Sequence, residues 1–308
     1  MAAVSRSMGA LDWGRILLLA VVWGGSYFFV AIALADLHPF VIVFGRVAIG
    51  AAALLVVVRL SGMRLPVEPS WWAPLAVMSL LNNVIPWILI VWGQTEIASG
   101  LAAIFNATTP LSTVVIAHYL TPDEKLTAGK VAGIALGIAG VAVLIGPGVL
   151  TGLGTAVLAQ IAVLLASVSY AFSGVFARRF HDRPVNVAAA GQMVCSTIFM
   201  TPLVLIFAPP WTQGPPGWPA VAAVVCLGLF STALGYLLVF RILRSAGATN
   251  FSLVTFLMPV TAILLGALFL GERLSPAALL GMALIGSGLA AIDGRPAAAL
   301  LRLARNSG

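Results

Sequence analysis

Apolar residues recur along this chain in long runs, set apart by short interruptions rich in Pro, Gly, Ser and Arg. A bilayer core about 30 Å thick asks for about 20 such residues per helix, and run after run meets that length. The pattern predicts ten membrane spans, over residues 12–34, 39–60, 72–94, 98–119, 127–146, 155–177, 185–207, 218–243, 249–270 and 275–292. Little is left over for an aqueous domain. The first span follows Arg6 and Arg15 as a signal peptide would. Nine more spans follow and no small-residue cleavage site stands out, so it is read as retained.

Composition excludes a soluble globule, because 61% hydrophobic and 8% charged residues cannot cover a solvated surface. The class is an all-α integral membrane protein. Cytoplasmic loops collect Lys and Arg, and an N-terminus on that side places 14 of the 16 basic residues there, all but Arg46 and Arg273. Both termini are then cytoplasmic, in a bacterial-type inner membrane. The net charge of +7 reflects this topology and contact with anionic membrane lipids, which argues against nucleic acid as a partner. Cys195 and Cys226 lie in different spans with no metal spacing, and no cofactor or metal is expected.

The chain repeats itself. "GLAAIFNATTPLSTVVIAHYLTPDEKLTAGKVAGIALGIAGVAVL" aligns with "TNFSLVTFLMPVTAILLGALFLGERLSPAALLGMALIGSGLAAI" after one gap, pairing Pro110 with Pro259, Glu124 with Glu272, and Gly133 and Gly140 with Gly281 and Gly288. Upstream, Ser26-Tyr27 pairs with Ser169-Tyr170, Gly45-Arg46 with Gly191-Gln192, and Trp87 with Tyr236. Residues 1–147 and 148–292 are thus two copies, and 293–308 form a basic cytoplasmic tail. Five spans per copy is an odd number, so the second copy enters from the opposite face. Inverted repeats of this kind are a hallmark of secondary transporters, in which exchange of the two halves' conformations moves a central cavity from one face to the other.

The segment from Gly228 to Ile292, with Pro259, Val260, Ala262, Gly271 and Glu272 as its signature, resembles the C-terminal repeat of the EamA-type carriers of the drug/metabolite transporter superfamily. "WGGSYFFVAIAL" and "FGRVAIG" resemble that family's first two helices. The resemblance implies helices 1–4 and 6–9 around a central cavity, with helices 5 and 10 packed at one edge. It also implies a small-molecule substrate, and the length and Trp content are similar to those of the family's bacterial amino-acid exporters. The expectation is therefore export of small amphipathic metabolites, amino acids first among them. A multidrug or other metabolite carrier, and a lipid scramblase or channel-like protein, stand as alternatives. The oligomeric state is left open. Gly129, Gly133 and Gly137 in the fifth span, with Ala277, Gly281 and Gly288 in the tenth, make small-residue ridges suited to close packing.

An enzyme is not expected. Gly129-Lys130 lacks the rest of a phosphate loop, and "AFSG" at 171–174 has Ala171 and no histidine at a suitable depth. His38, His118 and His181 sit near span ends and are read as surface or capping groups. Every carboxylate lies at a span end or in a loop, so proton coupling through a membrane-central Asp or Glu is not expected.

The candidate binding residues are the polar and aromatic positions matched between the copies: Trp23, Ser26 and Tyr27; Asn82, Asn83 and Trp87; Asn106; Ser169, Tyr170 and Ser173; Ser231, Thr232 and Tyr236. Pro86 lacks an amide proton, so its helix is expected to loosen and free a carbonyl for a ligand. Arg46, seven residues after Pro39, lies about 10 Å inside its span. Its guanidinium must face the interior, with Glu96 the nearest plausible anion. It pins helix ends or a gate, or it meets a substrate carboxylate. Gln192, its counterpart, carries no charge, and Pro110 and Pro259 are structural candidates.

Overall fold

The computed structural model describes residues 9–122, 124–146, 154–180, 182–209 and 214–293. The predicted tail beyond Asp293, and His181, lie outside the described residues. Ten apolar helical spans follow one another: α1 Ala10–Ala33, α2 Pro39–Leu60, α3 Pro69–Gly93, α4 Ser99–Leu120, α5 Ala128–Ile145, α6 Thr155–Phe176, α7 Val185–Phe207, α8 Trp218–Ser245, α9 Leu253–Phe269 and α10 Pro276–Asp293. All but α9 reach 18 residues, and α9, with 17, is preceded by a short helix over Gly247–Phe251.

Span limits follow local chemistry. Pro39, Pro69 and Pro276 open α2, α3 and α10, where a missing amide proton costs nothing. The third span therefore begins three residues before its apolar run. His38 caps α2 by accepting the Phe40 N–H at 3.3 Å, and Gly62 and Gly271 take positive φ just beyond the ends of α2 and α9. The fourth span is interrupted at Ala107 and Thr108. Pro110 cannot donate to the Asn106 carbonyl four residues back, and the Thr109 hydroxyl takes that place at 2.7 Å.

The turns at 61–68, 121–127 and 177–184 carry Arg59, Arg64, Lys125, Lys130, Arg178, Arg179 and Arg183 at or beside them, and define a basic end of the molecule. Large apolar side chains such as Leu17, Ile138, Ile198 and Leu268 stay exposed around the outside, as a lipid-facing surface requires. Inside, α2 packs on α7 and α8, α1 on α9, and α3 and α4 on α6.

The inverted repeat is visible in single contacts. A Cβ on Gly45 would lie 2.5 Å from Val224, and one on Gly191 2.7 Å from Leu75. Alignment of Trp87 with Tyr236 makes Leu75 and Val224 equivalent, so each copy's second span packs by the same glycine against the other copy's third. Helices α5 and α10 pack as a pair. Their contact has a seven-residue spacing: Gly133 faces Gly288 and Gly140 faces Gly281, with added Cβ atoms 2.4–2.9 Å from backbone oxygens. Gly129 also lies on α10, in ordinary contact with the Ala291 carbonyl, while Gly137 sets its backbone nitrogen against Gly288 and turns its Cβ direction to Leu111.

Gly133→Ala and Gly140→Ala should each destabilise the detergent-solubilised protein by about 1–3 kcal/mol, seen as a lower melting temperature. Gly286→Ala, with open space around its Cβ inside α10, should leave it as stable or about 0.5–1 kcal/mol more so. Equal effects at all three positions would contradict the packing.

Candidate functional site

The third span of each copy departs from α geometry at its middle, over Leu80–Val84 in α3 and Leu227–Leu234 in α8. These are π turns, which leave main-chain groups without their usual partners. In α3 the Ile85 N–H reaches back to the Leu80 carbonyl. The Leu81 carbonyl can then use neither Ile85 nor Pro86, which has no N–H. The Ser169 hydroxyl from α6 donates to it at 2.7 Å. In α8 the Trp23 indole from α1 donates to the Ser231 carbonyl at 3.1 Å. Proline is not what makes the turn, because Gly235 stands in α8 where Pro86 stands in α3. The carbonyl that Pro86 was expected to free for a ligand is instead bonded to a neighbouring helix.

Between these turns lies a cavity of about 420 Å³. Its walls include Trp23, Ser26, Tyr27, Asn82, Trp87, Asn106, Tyr170, Ser173, Ser231 and Tyr236 among the expected residues, and Arg46 with them. Asn83, Ser169 and Thr232 are buried and do not reach the wall. They brace those that do. The Tyr236 hydroxyl accepts from Asn82 Nδ2 at 2.9 Å and Gln192 Nε2 at 2.8 Å and donates to Asn83 Oδ1 at 3.2 Å. Asn83 Nδ2 donates to Ser196 Oγ at 2.9 Å, which donates to the Gln192 carbonyl at 2.9 Å. One phenol thus links α3, α7 and α8. Pro86, Pro110 and Pro259 stay out of the wall, as does Gln192.

Arg46 is 8% exposed. Its Nε–H donates to Thr232 Oγ1 at 3.1 Å, and Thr232 in turn donates to the Leu227 carbonyl at 3.0 Å. The guanidinium carbon lies 3.7 Å from the centre of the Trp87 ring, a close cation–π stack. Tyr27, Tyr170 and Tyr236 line the same cavity. Glu96 is not its partner: it is exposed in the turn after α3, and the two form no ion pair. A carboxylate in the turn at the end of one span does not reach a side chain about two turns inside another. Among the described residues, no Asp or Glu lines the cavity. The terminal nitrogens of a buried cation therefore meet no protein anion.

The reading from sequence missed Gln94, Met78, Val239, Phe251, Thr255 and Met258, all in the wall. Apolar residues at the rim carry no signal separable from lipid-facing ones, and Gln94 looks like a polar span end. Toward the basic end the cavity runs past Met78 and Phe251 to exposed Gly174. At the other end its wall stops at Val30 and Gln94, and Glu272 lies outside it, bonded to the start of α4. Glu272 Oε1 accepts the Ser99 N–H at 2.8 Å, and Oε2 accepts the Ser99 hydroxyl at 2.9 Å and the Gly100 N–H at 3.2 Å. A carboxylate from the α9–α10 turn thereby caps the N-terminus of α4, a pairing favoured by charge and helix dipole alike. Its repeat mate Glu124 pairs instead with Arg178 at the basic end.

A bundle of inverted repeats around a polar–aromatic cavity is an architecture of membrane transporters. The chain belongs to the EamA-like transporter family, whose model matches residues 14–146 and again 157–292. It is 24% identical to the uncharacterized transporter YoaV of Bacillus subtilis (strain 168), over 89% of this chain and 94% of that one. It is 29% identical to the uncharacterized inner membrane transporter YedA of Escherichia coli (strain K12), over 85% and 84%. A protein of Streptantibioticus cattleyicolor named "Probable terminal-alkyne amino-acid exporter" is 24% identical over 91% and 92%. A solved crystal structure shares the fold with a TM-score of 0.66 at 22% identity, covering 91% of this chain and 95% of its own.

The Glu272 cap can be tested with a reporter cysteine at Ala107, a cavity position 7% exposed, after Cys195 and Cys226 are replaced by Ala. With Glu272→Ala, an impermeant thiol reagent supplied at the end opposite the basic one should label the reporter several-fold faster. An unchanged rate would mean that the cap does not hold that end shut.

Proposed function

We propose that this transporter exports small amphipathic metabolites that carry a carboxylate, with apolar amino acids the best fit, and that the halves 1–147 and 148–292 rock against each other around the cavity. The observation that carries the reading is Arg46, buried in the cavity wall with no protein anion to answer it. A charge at membrane depth costs about 2.5–3.5 kcal/mol or more unless it is met, and a substrate carboxylate meets it with charge-assisted hydrogen bonds. Aromatic and aliphatic walls from Trp87, Tyr170, Met78, Phe251 and Met258 suit an apolar side chain. About 420 Å³ is the size of a small-molecule site, given the usual range of about 300–1,000 Å³. The name of the Streptantibioticus relative points the same way.

With the basic end cytoplasmic, as the distribution of Arg and Lys favours, the cavity faces the cytoplasm and Glu272 seals the external side. That is the loading position for export. The basic end then lies against anionic lipid of a bacterial-type inner membrane. No carboxylate stands in the cavity to exchange a proton for substrate, so coupling through such a group is not part of the reading.

In proteoliposomes, Arg46→Gln should lower counterflow of L-leucine about ten- to a hundred-fold, the equivalent of about 1.5–3 kcal/mol for bonds to a charged group. Flux of a carboxylate-free substrate should survive. Equal loss of both would make Arg46 a structural pin.

Orientation has its own test. Cysteines introduced at Gly214 and Arg179, on opposite sides of α7, should react with an impermeant reagent from the external and cytoplasmic faces respectively. Labelling of both from one face would overturn the topology.

A further inference from the structure

We infer that Gln94 and Asn106 form, with Arg46, a head-group subsite at the closed end of the cavity, built for a zwitterion. Resting on the carboxylate reading above, the proposal adds what would hold a substrate's ammonium group. Gln94 and Asn106 are each 9% exposed, and both line the cavity. Neither polar atom of the Gln94 amide has a hydrogen-bond partner in the protein, and neither does the Asn106 carbonyl oxygen. Leaving a buried polar group unsatisfied is costly, so two such side chains in the wall of one cavity call for an explanation.

Substrate chemistry accounts for the cost. The ammonium of an α-amino acid has three protons to donate, and amide oxygens are acceptors it can use. It sits one carbon away from the carboxylate, which has a free guanidinium edge to meet at Arg46. Donors and acceptors thus line one cavity, as the two charges of a zwitterion require. Terminal amide torsions of Asn and Gln are broad, so a turn about one bond brings each oxygen onto the cavity without moving a helix. Neutral amides in place of a carboxylate fit the same logic: a fixed Asp or Glu here would pair with Arg46 and cancel the charge the substrate needs. The substrate would enter with its head group toward the Glu272-sealed end and its apolar side chain toward Met78, Phe251 and Met258.

The test uses purified full-length protein and three compounds, L-leucine, its des-amino analogue 4-methylpentanoate, and leucinamide, each titrated against melting temperature. Wild type should bind L-leucine at least about tenfold more tightly than 4-methylpentanoate, the difference expected of hydrogen bonds to a charged group. Gln94→Met and Asn106→Leu keep side-chain size, and each should weaken L-leucine severalfold toward the analogue while leaving the analogue's affinity unchanged. Equal weakening of both compounds, or of neither, would overturn the subsite and leave the amides holding only water. Failure of the underlying reading looks different. Leucinamide would then bind wild type as well as L-leucine does, the carboxylate would play no part, and a zwitterion subsite would fall with it.

Discussion

A guanidinium held about 10 Å inside a membrane span without a carboxylate to answer it is the constraint around which this transporter is arranged. Lipid offers nothing, so the protein supplies partial partners only: the Trp87 face and the Thr232 hydroxyl. These orient the side chain without neutralising it. Arg46 is thereby kept in one place with its terminal nitrogens uncommitted, a state that is costly alone and favourable with an anion present. The second copy shows what the same position does without a charge. Gln192 bonds the Tyr236 hydroxyl, so both copies set a polar residue of the second span against an aromatic residue of the third. One pairing is a closed structural joint, and the other keeps binding capacity.

The π turns make those joints possible. Each places an irregular segment at the middle of the membrane, and the first span of either half, through Trp23 or Ser169, donates to a carbonyl in the other half's third span. Main-chain groups at membrane depth cannot stay unpaired, so these bonds hold the copies in register across the cavity. Away from the cavity, Gly45 and Gly191 let the second and third spans of opposite copies touch. A fold stitched by matched contacts can trade one arrangement for its mirror while keeping most of them. The ends differ more: Glu272 caps α4 at one, while Glu124 is engaged with Arg178 at the other.

Much of the architecture was legible because a bilayer imposes it. Span lengths and the odd count per copy follow from helix rise and core thickness, and with the matched positions of the two copies they led to an inverted repeat and to the polar and aromatic part of the cavity wall. What escaped the sequence depends on rotation about helix axes and on distant contacts. Glu96 ends its span in an exposed turn, whereas Arg46 lies about two turns inside its own. Gly235 gives no hint that α8 is π-wound, where Pro86 invited the right suspicion for an incomplete reason. Glu272 was a signature residue with no visible partner, because Ser99 lies far off in the chain. Gln94 looked like the polar end of a span and stands instead over the closed end of the cavity.

The central claim is that Arg46 meets the carboxylate of the transported molecule. Its most direct measurement is a dipolar recoupling experiment between the carboxyl carbon of ¹³C-labelled L-leucine and ¹⁵N-labelled arginine in the reconstituted protein. A coupling corresponding to about 4 Å, the reach of a charge-assisted hydrogen bond, and its loss in Arg46→Gln are the predicted result. Bound leucine with no arginine coupling, or a coupling that survives the substitution, would contradict it.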